Sequence, residues 1–156
     1  MVSMRATRSD SGGELPDVLQ FMQLLWAVAH GLEKTSKWMA GELGVTGPQR
    51  LVLRVVGLFP GISAGQVAAI LHLHPSTLTG ILRRLVALRL LQRAGDPQDR
   101  RRAILHLTAR GTRVSAAPGG TVEAAVARTL GRVSASDRAA TKRVLRQLAR
   151  DLDRSR

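Results

Sequence analysis

Between two β-prone runs the chain reads Gly95-Asp96-Pro97-Gln98-Asp99-Arg100-Arg101-Arg102, which sets three consecutive arginines on a turn of Gly, Asp and Pro. Leu91-Gln92-Arg93-Ala94 leads in and Ala103-Ile104-Leu105-His106-Leu107 leads out. Ala103, Leu105 and Leu107 fall on one face of the second run, with Arg102, Ile104 and His106 on the other, the period of two of a half-buried strand. A hairpin with a cationic tip is the only short element that suits this pattern. A charge run alone is often just a solvated turn. This one directly follows a basic helix, which points instead to a polyanion.

The charge balance agrees. The 156 residues carry 24 Lys and Arg against 11 Asp and Glu, a formal charge of +13. Arginine, which pairs bidentately with phosphates and base edges, supplies most of it. Nine arginines lie between Arg83 and Arg113, opposed by Asp96 and Asp99 alone. Nucleic acid is therefore the first partner to consider, and an anionic membrane surface the second. With 44% apolar residues the chain suits one compact domain, with or without dimerisation arms. The absence of cysteine excludes a disulfide framework, a thiolate zinc site and a thiol switch. Residues 1–13 are polar and read as a disordered tail, unlike a secretory signal, and no run reaches the length of a membrane span. A cytoplasmic location is expected.

Most of the remainder reads as helix. Val18, Leu19, Met22, Leu25, Trp26, Ala29 and Leu32 keep the spacing of one helical face from Leu15 to about Leu43, where Gly44 ends the run. Thr46-Gly47-Pro48-Gln49 is a capping box for a second helix reaching about Phe59, stopped by Pro60-Gly61. Ser63-Ala64-Gly65-Gln66 repeats the box before a short helix over Val67–Leu71. Pro75 then opens a helix to about Leu90, with Leu78, Leu82 and Leu85 turned inward. Ser76, Thr77, Thr79, Gly80, Arg83 and Arg84 face outward.

Two short helices in tandem, the second offering small hydroxyl residues at its start and arginines one turn later, have the layout of a helix-turn-helix reader. The hairpin that follows adds a wing. Small residues let such a helix sink into the major groove, where Ser and Thr bond base edges and threonine methyls meet thymine. The free amides at its start favour a phosphate. The alternative is an ordinary amphipathic helix, and for Arg83 and Arg84 the sequence does not separate phosphate clamps from surface charge.

Over about residues 44–111 the chain resembles the MarR family of winged helix-turn-helix regulators. The resemblance is carried by Ser63-Ala64-Gly65-Gln66-Val67-Ala68, by Pro75-Ser76-Thr77-Leu78-Thr79 with Arg84-Leu85, by Asp96-Pro97-Gln98-Asp99-Arg100-Arg101, and by Leu107-Thr108-Ala109-Arg110-Gly111. It implies a minor-groove role for Arg101, an orienting role for Asp99, and a backbone contact or wing pairing for Arg84. An arginine in a narrow minor groove reads groove width more than bases. Gly80 and Arg83 depart from the family's usual larger polar and acidic residues, so base preference and charge pairing are expected to differ.

After Gly111, Pro118-Gly119-Gly120 should interrupt the helix that starts near Thr108. Helices are expected again over residues 121–130 and 136–152, the last with Ala140, Val144, Leu145, Leu148 and Leu152 on one stripe. That stripe and the first helix's face exceed what one reader domain covers, which predicts a two-fold dimer, as in the family the chain resembles. The expected organisation is a tail over residues 1–13, a dimerisation helix over 14–43, a winged helix-turn-helix over 44–111 and dimerisation helices over 112–156. The fold class is mainly α with a small β-hairpin.

In relatives a small-molecule pocket lies between the first helix, the second and the dimer arms. By that resemblance Trp26, His30, Trp38 and Met39 are candidates for a small aromatic effector; equally, they fit core or dimer contacts. His72 and His74 suit polar surface or N-cap positions better than metal ligation. No cofactor is implied, and no G-x-S-x-G elbow, phosphate loop or paired-carboxylate motif suggests an enzyme. The expectation is a homodimeric regulator of transcription, a repressor before an activator, that binds double-stranded DNA through Ser76, Thr77, Thr79, Arg83, Arg84, Asp99, Arg100, Arg101 and Arg102. An architectural or RNA-binding protein and a peripheral membrane binder are the alternatives.

Overall fold

The computed structural model describes residues 15–99 and 102–154; the expected tail, like Arg100 and Arg101, lies outside them. In order the elements are α1 (Asp17–Leu43), α2 (Gly47–Leu58), β1 (Ile62–Ser63), α3 (Ala64–Leu71), α4 (Pro75–Ala87), β2 (Leu91–Gly95), β3 (Ala103–Leu107), α5 (Ala109–Ala116), α6 (Val122–Leu130) and α7 (Ala135–Arg154). The fold is mainly helical with one small sheet, as expected.

Local chemistry accounts for most boundaries. Gly44 closes α1 in the left-handed conformation. Both capping boxes form: Thr46 accepts from the Gln49 amide and Ser63 from the Gln66 amide, while each glutamine accepts from the backbone N–H of its cap residue. Pro75 begins α4 behind an N-cap His74, one of the two roles expected of that histidine. Pro118 follows the end of α5, and Thr121 caps α6 through the Ala124 amide.

The core lies between α2, α3, α4 and the sheet. Val52, Leu53 and Val56 of α2, Val67 of α3, Leu78, Leu82 and Leu85 of α4, then Leu90, Leu91 and Leu105 form one buried cluster. Each such leucine contributes roughly 1.5–3 kcal/mol relative to exposure. The α4 leucines recur at four and three residues, so their burial fixes which face of α4 remains outside.

Two features differ from the sequence expectation. Helix α4 stops at Ala87 because Arg89 adopts a left-handed conformation (φ 55°), which returns Leu90 to the core with its N–H on the Leu85 carbonyl. A two-residue strand also joins the hairpin. The antiparallel order is β1-β3-β2, with Ile62 opposite Leu105, Ser63 opposite Ile104 and Leu91 opposite Leu107.

The arms differ from this core. Helix α1 buries only Met39, and α7 buries no side chain. Val18, Leu24, Trp26 and Val28 of α1 and Val144, Leu145 and Leu152 of α7 are exposed. Helix α1 meets α2 through Ser36, whose hydroxyl accepts from the Gly47 amide at 2.8 Å. None of the helices among the described residues is long and apolar enough to cross a membrane.

Candidate nucleic-acid interface

With Leu78, Leu82 and Leu85 buried, α4 exposes Ser76, Thr77, Thr79, Gly80, Arg83 and Arg84. Seven residues, nearly two turns, separate Ser76 from Arg83 and Thr77 from Arg84, so hydroxyls and guanidiniums lie in two adjacent rows. Between them Gly80 leaves a notch: a Cβ built there would meet nothing within 4 Å.

The three hydroxyls are not equivalent. Ser76 Oγ lies 2.7 Å from His74 Nδ1, and the Ser76 amide donates to the same nitrogen at 3.3 Å. Thr79 Oγ1 donates to the Pro75 carbonyl at 2.8 Å. Thr77 makes no side-chain hydrogen bond to a described residue, which leaves both its donor and its acceptor capacity for an external partner.

The wing is closed by its own backbone. The Asp96 amide donates to the Arg102 carbonyl and the Arg102 amide to the Asp99 carbonyl, each at 2.9 Å. The Gln98 amide donates to Asp96 Oδ1 at 2.9 Å, the side-chain turn that Asp favours. Arg102, expected among the DNA contacts, points back onto the protein. Its Nη2 donates to Ser63 Oγ at 3.0 Å and to Gln66 Oε1 at 2.7 Å.

Behind the wing, Leu107-Thr108-Ala109-Arg110-Gly111 ties α5 to the end of α4. Thr108 donates from its amide to the Leu90 carbonyl at 3.1 Å and from Oγ1 to the Arg89 carbonyl at 2.7 Å, and it caps the Gly111 amide at 3.0 Å. Gly111 passes so close to α4 that a Cβ there would stand 1.9 Å from the Leu90 carbonyl oxygen. The motif is therefore a backbone clamp that sets the angle between wing and arm.

A second clamp escaped the sequence reading. Arg50 of α2, 5% exposed, donates through Nη1 to the Val114 carbonyl and through Nη2 to the Ala117 carbonyl at 2.7 Å. Glu123 of α6 lies 3.5 Å from Arg50 Nη2 and accepts from Arg54 Nε at 2.9 Å. The available signal was a basic residue three positions before Leu53, in phase with the buried stripe of α2.

The four candidate effector residues do not converge within one chain. Trp26 and Met39 stand about 20 Å apart along α1 at 1.5 Å per residue. Trp26 and His30 are exposed, Met39 is in the interior, and Trp38 packs on Gly120, where a Cβ would stand 2.1 Å from its ring. His72 caps α3 in a left-handed conformation. The described residues contain no group of three or more His, Cys, Asp or Glu able to hold a metal ion.

Comparison with known proteins bears on this arrangement. Residues 43–102 match the model of the MarR family. The chain is 30% identical over 128 residues to the HTH-type transcriptional repressor Rv2887 of Mycobacterium tuberculosis, covering 82% of this chain and 92% of that one. Among solved structures it resembles the PcaV transcriptional regulator of Streptomyces coelicolor in complex with its natural ligand, with a TM-score of 0.69 and 26% identity over 88% of this chain and 96% of that one. It also shares the fold of MepR from S. aureus, solved as a DNA complex, with a TM-score of 0.70 and 20% identity over 89% and 99% of the two chains.

Proposed function

The chain belongs to the MarR family, and from this premise we propose how it works as a DNA-binding transcriptional repressor. Two copies place their α4 helices in successive major grooves, with the wings against the flanking minor grooves. The observation that carries this assignment is the outer face of α4. It is exposed along its length, starts with hydroxyls, and continues to Arg83 and Arg84.

Thr77 is the principal base reader, because its hydroxyl is uncommitted. Ser76 and Thr79 serve through acceptor lone pairs, and Thr79 also through its methyl. Arg83 and Arg84 hold phosphates, which fix register and carry no sequence information. On the wing, Arg101 enters the minor groove and Asp99 orients the basic side chains, as the family resemblance implies, and Arg100 adds a contact to the backbone. Arg102 is removed from this set of contacts by its bonds to Ser63 and Gln66.

Repression is relieved by a small aromatic ligand. Supporting this, the PcaV regulator was solved with its natural ligand, and Trp26 and His30 stand one turn apart on an exposed face of α1 that a second copy would roof. Trp38, packed on Gly120, and Met39, in the interior, fit the packing role instead.

Selection from random duplex pools tests the function. The expected product is a pseudo-palindrome with half-site centres about 10 base pairs apart. On that duplex Arg101→Ala weakens all sites alike, while Thr77→Ala changes the preferred base at one or two positions. Displacement by random-sequence competitor as effective as by the selected duplex would refute sequence-specific repression.

A further inference from the structure

Arg102 continues the charge run of the wing tip, yet its guanidinium is bonded to two neutral oxygens of the capping box that begins α3. Ser63 is 8% exposed, and its Oγ accepts both from the Gln66 amide at 3.3 Å and from Arg102 Nη2 at 3.0 Å. Gln66 Oε1 accepts from the Ser63 amide at 3.0 Å, from Ser63 Oγ at 3.0 Å and from Arg102 Nη2 at 2.7 Å. One side chain of the wing thus completes the oxygen pair that caps the first reader helix.

The sheet puts it there. Ile104 of β3 pairs with Ser63 of β1, and alternation along the strand returns the side of Ile104 at Arg102, two residues earlier. Among the described residues the pairing of β1 with β3 ends at Ser63 and Ile104, so this bond ties the hairpin to α3 beyond the paired residues.

We propose that Arg102 is a positioning residue, a strut from wing to α3 that sets the reach of Arg100 and Arg101 toward DNA without itself contacting a phosphate. The proposal rests on the DNA-binding reading above. A hairpin held only by its turn samples many orientations, and each phosphate or groove contact then carries the cost of ordering it. The strut removes part of that cost beforehand. It also joins wing and reader helix into one unit, so that displacing α3 displaces the wing tip.

A phosphate contact and a strut differ in salt dependence. Removing a phosphate contact lowers the slope of log Kd against log salt by about one, because one fewer counterion is released. Removing a strut leaves the slope unchanged. The experiment measures Kd against KCl on the selected duplex for the full chain and its Arg102→Ala, Gln66→Ala, double and Arg101→Ala variants, with amide exchange of the DNA-free proteins.

Expected for Arg102→Ala is a loss of about three- to tenfold in affinity at unchanged slope, with faster exchange along Ala103–Leu107. Gln66→Ala reproduces both effects in part, and the loss in the double variant is smaller than the sum of the two single losses, because the two residues share one interaction. Arg101→Ala lowers the slope by about one and leaves exchange unchanged. A slope lowered by about one in Arg102→Ala, losses that add in the double variant, or wing exchange indifferent to Arg102 would each overturn the strut while leaving DNA binding intact. Absence of salt-dependent duplex binding by the unaltered protein would overturn the DNA-binding reading itself, and with it the positioning role.

Discussion

At the scale of single residues, contact partners separate side chains that the sequence treats alike. Thr77 and Thr79 are two threonines on one exposed face, but only Thr79 spends its proton on a backbone carbonyl, that of Pro75. Replacing each by the isosteric valine should therefore separate them. Thr77→Val is expected to weaken operator binding about tenfold, the value of one hydrogen bond, and Thr79→Val less than about threefold, both by titration on the same duplex. Gly111 makes the opposite point: its type was legible as part of Leu-Thr-x-x-Gly, and its reason was not. The carbonyl of Leu90 occupies the space a side chain would need, so Gly111→Ala should cost about 2 kcal/mol or more in urea unfolding, by forcing α5 away from α4. For Arg102 the sequence shows only the last of three adjacent arginines, because its partners Ser63 and Gln66 lie 39 and 36 positions away.

At the scale of elements, what could be read in advance was whatever short-range chemistry determines. Both capping boxes, the Pro75 start of α4, the Gly44 stop and the break at Pro118 follow from residues within four positions of one another, and all are present. Strand β1 was not legible, because two residues have no period and its existence depends on Leu105 and Ile104, about forty positions away. The Arg50 clamp was hidden likewise, since its acceptors are carbonyls at the end of α5. The Val114 carbonyl also accepts from the Ala117 amide at 3.4 Å, so Arg50 reinforces the C-terminal end of α5, where carbonyls run out of helical donors. Arg50→Ala should lower stability by about 2–4 kcal/mol, because two partly buried carbonyls lose a charged donor together. Glu123→Gln should cost under about 1 kcal/mol, its carboxylate being 48% exposed and screened. Thermal unfolding of the two variants side by side checks the ranking. The reverse order would assign the junction between α2 and α6 to the ion pair instead of the helix cap.

At the scale of the molecule, the reader core is self-contained and the arms are not. Helix α7 spans 20 residues and buries none of them, although helices in proteins take most of their stability from packing an amphipathic face. Its apolar stripe of Val144, Leu145 and Leu152 and the exposed row of α1 need a second surface, which a copy of the same chain would supply by symmetry in the proposed dimer. The proposed dimer rests on the same excess of apolar positions, and its geometry depends on how two arms would interlock. The consequence is a separation of stabilities. Substituting both Val144 and Leu145 by Asp should halve the mass seen in sedimentation, from about twice 16.8 kDa to that value. Helical circular dichroism should fall as α7 and the start of α1 melt, while amides of β2, β3 and α4 keep their protection, because Leu78, Leu82, Leu85 and Leu105 are buried within one chain. Operator affinity should fall by two orders of magnitude or more, about the gain that tethering two half-site binders provides. Retained protection with lost affinity would place the cooperativity of DNA binding in the arms. Simultaneous loss of all protection would instead mean that the reader core depends on the partner for its own stability.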